Sequence, residues 1–150
     1  MEAMHGGGGT IADPWELETP DRIHRYRMRI DDEREPPALI CTVGVESFGY
    51  QLRCVSDLYE MLVDRGGWVE LGVKDEKGLP AEDTVEAWAR SPDNPVGDWY
   101  GLKPGRRGQF ASYVPPLLEF FGLAEVEHKL TGNRMRVGRH PMSGGLIVPP

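Results

Sequence analysis

Apolar positions recur most regularly in the last third of the chain, over residues 106–137. In the first half of this stretch they stand at relative positions 0, 4, 7, 8 and 11, which are Phe110, Val114, Leu117, Leu118 and Phe121. This spacing is typical of one face of an α-helix, and Gly122 is suited to end that helix in a left-handed conformation. Residues 123–137 then alternate on either side of residues 131–133, which predicts a β-hairpin.

Two consecutive prolines interrupt this helical pattern. Pro115 and Pro116 fall in its middle, where each interior proline costs about 3 kcal/mol and removes a backbone donor. The apolar stripe continues across both residues. The pattern therefore predicts either a kinked helix or two short helices placed end to end.

The first third of the chain carries the patterns of β-strands. Residues 23–30 alternate strictly, so that Arg25, Arg27 and Arg29 share one face. Residues 38–45 are apolar and β-branched, and residues 47–55 alternate again, which predicts a small antiparallel sheet. Two hypotheses stand for the arginines: a basic face that meets phosphate, or an edge strand whose arginines pair with the acids of residues 31–35.

The middle of the chain predicts a helix that follows Ser56 as N-cap and ends at residues 66–67, then a short strand over residues 68–73. A second helix is predicted over residues 81–90. The long loop 91–105 contains Trp99 and Tyr100, which either fill the core beneath the loop or present a partner-binding surface.

The order helix, strand, helix, helix, hairpin over residues 56–138 resembles the winged-helix domain. The resemblance implies that residues 106–121 act as the recognition helix and that the hairpin acts as a wing against the nucleic-acid backbone. The chain is also similar to short uncharacterised bacterial proteins that share the runs GGWVELG and VEAWARSPDNPV, which are residues 66–72 and 85–96 here. The expected fold class is α+β, with a small N-terminal antiparallel sheet followed by a winged-helix-like unit.

Length and composition indicate one domain with loose ends. At 150 residues with 13 prolines and 19 glycines, the chain predicts a flexible leader over residues 1–21, a single α+β domain over residues 22–140 and a flexible tail over residues 141–150. No apolar run is long enough to cross a membrane, and no secretion signal is evident. Cys41 and Cys54 have no metal-ligand spacing, so reduced thiols in a cytoplasmic protein are expected.

Charge is distributed unevenly along the chain. The net charge is −7, but residues 103–150 carry seven basic and three acidic residues. The candidate nucleic-acid-binding residues of this part are Lys103, Arg106, Arg107, Gln109, Lys129 and Arg134. With a hairpin turn centred on residues 131–132, Lys129 would lie opposite Arg134 as a like-charge pair that a bound anion relieves, and Glu127 would pair with Arg136.

Motifs of enzymes are missing from the sequence. It contains neither a glycine-rich phosphate loop nor a Gly-x-Ser-x-Gly turn, and its four histidines are scattered. We therefore expect no catalytic residues, no metal site and no cofactor. The expected function is a non-catalytic binding or accessory module that acts through a protein partner or self-association. A DNA-binding winged-helix regulator is the first alternative, and a small-molecule-binding protein or enzyme is the second.

Overall fold

The computed structural model describes residues 7–75, 77–102 and 109–138. Its first half is an antiparallel sheet of four strands in the order β1-β2-β3-β4. These strands are β1 (Trp15–Glu18), β2 (Arg25–Asp31), β3 (Ala38–Val43) and β4 (Glu46–Gln51). The predicted N-terminal antiparallel sheet is confirmed.

The second half consists of short helices and a smaller sheet. In chain order it contains α1 (Cys54–Arg65), β5 (Val69–Glu70), α2 (Val85–Ala89), α3 (Phe110–Tyr113), α4 (Pro115–Phe120), β6 (Ala124–Val126) and β7 (Arg134–Val137). The last two strands and β5 form an antiparallel sheet in the order β5-β7-β6. Side chains from both sheets and from α1 to α4 share one apolar core. The architecture is a mixed α/β one.

The prediction of a flexible leader is wrong over residues 7–21. Trp15 and Leu17 of β1 are buried, and the Trp15 ring packs edge-on against Phe121 with 5.3 Å between ring centroids. The backbone N–H of Ile30 donates a hydrogen bond to Gly9. Pairing with β2 holds this segment as a strand. Its alternation of apolar and polar residues is short and is flanked by glycines and prolines, so the sequence pattern did not reveal it. Residues 1–6 and the predicted tail 141–150 lie outside the described residues.

Strand β2 lies inside the sheet rather than at its edge. It pairs with β1 on one side and with β3 on the other, so the hypothesis of an arginine-bearing edge strand is wrong. The alternation was predicted correctly. Tyr26 and Met28 point into the core, whereas Arg25 and Arg27 are exposed.

Two helices begin at residues other than the predicted ones, because local hydrogen bonds determine where they start. Helix α1 begins at Cys54, and the Ser56 hydroxyl donates to the Arg53 carbonyl instead of capping the helix. Helix α2 is shorter than predicted because Thr84 caps it by accepting from the N–H of Ala87. At the proline pair the chain forms two short helices end to end, with Pro115 opening α4, as one of the two predicted forms requires.

A buried ion pair joins these short helices. The Glu86 side chain is fully buried on α2 and accepts hydrogen bonds from the backbone N–H groups of Phe110 (3.2 Å) and Ala111 (2.9 Å) at the start of α3. It also accepts from the Arg90 guanidinium at 3.0 Å. Burial raises the pKa of Glu86 even though these donors act to lower it.

The Arg90 guanidinium extends the same network to the loop before α2. It donates to three backbone carbonyls, those of Lys74, Asp75 and Gly78. One ion pair therefore connects α2 with the first turn of α3 and with residues 74, 75 and 78.

The C-terminal hairpin (residues 124–137) has a different register from the predicted one. Glu125 lies opposite Arg136, and the N–H of Glu127 donates to the carbonyl of Arg134. The turn is longer than predicted because the Asn133 amide closes it, with one hydrogen bond to each backbone group of Lys129. The predicted Lys129–Arg134 and Glu127–Arg136 pairs are therefore wrong.

Replacing Glu86 by Ala is expected to lower the free energy of unfolding by about 3–5 kcal/mol, because the Arg90 guanidinium would stay buried without its carboxylate. Urea unfolding followed by circular dichroism measures this loss. The control Glu60→Ala changes an exposed residue of α1 and is expected to alter stability by no more than about 0.5 kcal/mol. Equal small losses for both variants would contradict the role assigned to the ion pair.

The hairpin ion pair predicts an acid-sensitive contribution to stability. Hydrogen bonding from Arg134 lowers the pKa of Glu127 from 4.5 to about 2. Its contribution is therefore present above pH 4.5 and is lost as the pH falls towards 2. The stability difference between the wild type and Glu127→Gln is expected to shrink across this window, as measured by urea unfolding at several pH values.

The matched control for this measurement is Glu33→Gln. Glu33 is exposed and has no arginine within ion-pair distance in the part of the chain that the structure describes. A stability difference for Glu127→Gln that stays constant from pH 4.5 to pH 2 would show that the hairpin pair contributes nothing that depends on pH.

Candidate binding cleft

Only some of the predicted nucleic-acid-binding residues lie within the described part of the chain. Lys103, Arg106 and Arg107 lie outside the described residues. Gln109 precedes α3 and serves the fold: its side-chain oxygen accepts from the Tyr113 hydroxyl, and its N–H donates to the Lys74 carbonyl.

The two remaining members of that set share one carboxylate. Arg134 binds Glu127 at 2.6 Å, and the Lys129 ammonium lies 3.5 Å from the same side chain. Arg136 is likewise paired with Glu125 at 3.0 Å. Two carboxylates of the C-terminal hairpin therefore pair with three basic side chains and neutralise most of their positive charge.

Tyr100 is buried in the core and Trp99 is partly buried against it, so this pair fills the core beneath the loop, which is one of the two roles predicted for it. Tyr100 is fully buried, and its hydroxyl donates to Asp57 at 2.8 Å; burial and this carboxylate raise its pKa. Trp99 packs edge-on against Tyr50. The loop folds back onto the sheet because Gln51 donates its N–H to the Tyr100 carbonyl, which no local pattern reveals.

A cleft of about 350 Å³ opens between segments that are far apart in the sequence. Its walls are residues 19–21, residues 70–74 and the hairpin turn 130–133, together with Ala81, Thr84 and Ser112. This volume is within the range of small-ligand and peptide-anchor pockets.

The wall formed by residues 70–74 has open backbone groups. Leu71 is anchored, since its N–H donates to Asn133 and its carbonyl accepts from Glu86. The next two residues, Gly72 and Val73, make no backbone hydrogen bond within the described part of the chain. Gly72 has a positive φ of 63°, and a Cβ there would lie 2.4 Å from the Thr84 side chain, so the close approach of these two segments requires glycine.

The rim of the cleft exposes apolar side chains between charged ones. Val73 is 40% exposed and Leu130 is 75% exposed, and both line the cleft. Asp21, Glu70 and Lys74 supply the charges. Burial acts to raise the pKa of Asp21, but hydrogen bonds from Thr19 and Ile23 outweigh it and the pKa lies below its ordinary value.

Side-chain hydrogen bonds hold two of the walls together. The His128 ring binds the Pro20 carbonyl through Nδ1 at 2.9 Å and the Glu119 carboxylate through Nε2 at 2.7 Å. The residues before β2 are thereby attached to the hairpin and to α4. These two walls are therefore fixed relative to each other by side-chain contacts.

Metal ligation and thiol chemistry find no support at the described residues. Within the described ranges, no three His, Cys, Asp or Glu side chains are grouped as a metal site would need. Cys41 and Cys54 are free but buried, and burial raises the pKa of both thiols. None of the described helices is long and apolar enough to span a membrane.

Sequence reasoning did not find this cleft. Its walls come from three separate segments, and only the folded chain brings them together. The available signal was the position of Val73 and Leu130 as apolar residues directly before the polar stretches 74–78 and 131–134.

Comparisons with known proteins identify the chain only by its family. No curated protein and no solved structure matches it significantly. A family model described as a family of unknown function, DUF6855, matches residues 7–138. Because this match covers most of the 150 residues, the chain belongs to the DUF6855 family of unknown function.

Proposed function

We propose that the protein is a non-catalytic binding module that holds a segment of a partner protein in the cleft. The observation that carries this proposal is the exposure of Val73 and Leu130 beside Gly72 and Val73, whose backbone groups make no hydrogen bond to any other described residue. Protein interfaces are built in this way, with an apolar centre and a rim that is polar.

The bound segment places one apolar side chain between Val73 and Leu130 and hydrogen-bonds to the backbone at Gly72. Burying one such side chain contributes about 1.5–3 kcal/mol, and each backbone hydrogen bond about 1 kcal/mol. Backbone bonding gives affinity to any extended segment, whereas the apolar pocket selects its sequence. Asp21 and Glu70 at the rim favour a segment with basic residues beside its apolar anchor.

We further propose that residues 54–138 form a winged-helix-like unit. The order α1-β5-α2-α3-α4-β6-β7 and the pairing of β5 with β7 support this assignment. Domains of this kind also serve as protein-interaction units, which agrees with a binding module. Breaking the helical segment into two helices of four and six residues makes it a poor reader of the major groove.

Photo-cross-linking from the cleft tests the partner. A benzoylphenylalanine replaces Leu130 in the cells that naturally produce the protein, and mass spectrometry identifies the adduct. With the purified partner, Val73→Asp is expected to weaken binding about ten-fold or more, because the contact buries an unpaired carboxylate. The affinity is measured by calorimetry with the full chain.

The matched control is Val63→Asp, which changes a similarly exposed valine on α1 outside the cleft. Its affinity for the partner is expected to equal that of the wild type. Equal losses for Val63→Asp and Val73→Asp, or the same adduct from a cross-linker at Val63, would overturn the cleft as the binding site. Circular dichroism confirms that both variants remain folded.

DNA binding is the second candidate function, and the winged-helix-like order of elements favours it. The paired charges of the hairpin oppose it, because Glu125 and Glu127 already occupy Arg136 and Arg134. We expect a labelled random duplex to show no binding in fluorescence anisotropy at physiological salt. Binding that falls steeply with salt and is weakened by Lys129→Gln would instead establish a phosphate contact.

A further inference from the structure

The outer side of β2 carries three arginines, which we call the arginine face: Arg25, Arg27 and Arg29. Alternate residues of a strand project to the same side about 6.8 Å apart, so neighbouring guanidinium groups can converge on one ligand. The arginine face is separate from the cleft, since the two share no lining residue.

The backbone beneath the arginine face is held rigidly. Between the arginines, Tyr26 and Met28 point inward and are buried at 3% and 0% exposure. The Tyr26 hydroxyl donates to the Tyr113 carbonyl at 2.7 Å, and β2 is paired on both sides. The positions from which the arginines project are therefore set before any ligand binds.

Two of these arginines differ from most others in the protein. Of the ten arginines in the described residues, seven have a carboxylate oxygen within ion-pair distance, and among them is Arg25, 3.6 Å from Glu18. Arg27 and Arg29 have no such partner within the described part of the chain. The guanidinium donors of Arg27 and Arg29 are therefore not occupied by any carboxylate of the described residues, although the protein as a whole is acidic.

A cavity of about 340 Å³ lies on this face beside Arg25 and Arg27. Thr42, which pairs with Arg27 across the strands, and Gly44 line its other side. The hydroxyl groups of Thr42 and Ser47 are 2.9 Å apart, and either can be the donor. When Ser47 donates, the O–H of Thr42 is free to point into the cavity.

We propose that the arginine face binds a small molecule that carries a phosphate group. Arg27 holds the phosphate oxygens through paired N–H donors, and Arg25, which lines the same cavity, adds a second charged contact from two residues before it on the strand. The O–H of Thr42 donates to the ligand from the cavity wall. The cavity volume suits a compact phosphorylated molecule rather than a long polymer.

Glu16 sets the affinity of this site. It lies opposite Arg27 on β1 and lines the same cavity, yet no ion pair joins its carboxylate to Arg27. Its negative charge repels a phosphate. Removing that charge should therefore tighten binding, whereas removing the charge of Arg27 should weaken it.

Inorganic pyrophosphate is the probe for the first test. Amide chemical shifts of the ¹⁵N-labelled full chain are followed as pyrophosphate is added, and the largest changes are expected in β2 and at residues 42–44. Arg27→Gln is expected to weaken binding about ten-fold, because a charged hydrogen-bond donor is lost. The control Arg34→Gln removes an equal charge from an arginine that is paired with Asp31, and it is expected to bind like the wild type.

Glu16→Gln removes a negative charge from the cavity, so this variant is expected to bind pyrophosphate about two- to five-fold more tightly than the wild type. Shift changes absent from β2, or equal weakening in Arg27→Gln and Arg34→Gln, would overturn the proposal. A sedimentation assay with vesicles that contain an anionic phospholipid distinguishes the source of the phosphate. Sedimentation that depends on Arg27 without any response to pyrophosphate would replace the small molecule by a lipid surface and would also overturn it.

Discussion

The buried pair of Glu86 and Arg90 is the interaction on which the second half of the protein depends. Helices α2, α3 and α4 have five, four and six residues, lengths at which an isolated helix is unstable in water. The Glu86 carboxylate accepts hydrogen bonds from the backbone N–H groups of Phe110 and Ala111 at the start of α3. Arg90 donates to the carbonyls of Lys74, Asp75 and Gly78. Burial makes the charge of Glu86 costly, so the pair stabilises one arrangement of these elements rather than adding much net stability.

The same network positions the candidate cleft. Glu86 donates its backbone N–H to the carbonyl of Leu71, and the loop that Arg90 holds begins directly after Val73. The opposite wall depends on His128, which links the Pro20 carbonyl to α4. Both walls are therefore built from polar contacts between distant segments, and the apolar side chains of Val73 and Leu130 remain exposed at the rim.

The two sheets differ in whether their exposed arginines are paired with carboxylates. On the C-terminal hairpin, Arg134 and Arg136 stack over the Trp68 ring and are each paired with a glutamate, so this surface is largely self-neutralised. On the arginine face, Arg27 and Arg29 project from an equally rigid strand without carboxylate partners among the described residues. Net charge by region pointed to the C-terminal third, but among the described strand residues the arginines without a carboxylate partner are Arg27 and Arg29 of the N-terminal sheet, because pairing is decided across strands.

The sequence by itself determined the features that depend on neighbours along the chain. The alternation around Tyr26 and Met28, the order of elements after β1 and the break at Pro115 all follow from periodicity and from the covalent geometry of proline. The tertiary structure alone decided that residues 15–18 form strand β1, that Tyr100 is buried, which register the hairpin has and where the cleft lies. Each of these depends on hydrogen bonds or packing between residues far apart in the chain, and local propensity carries no information about such contacts.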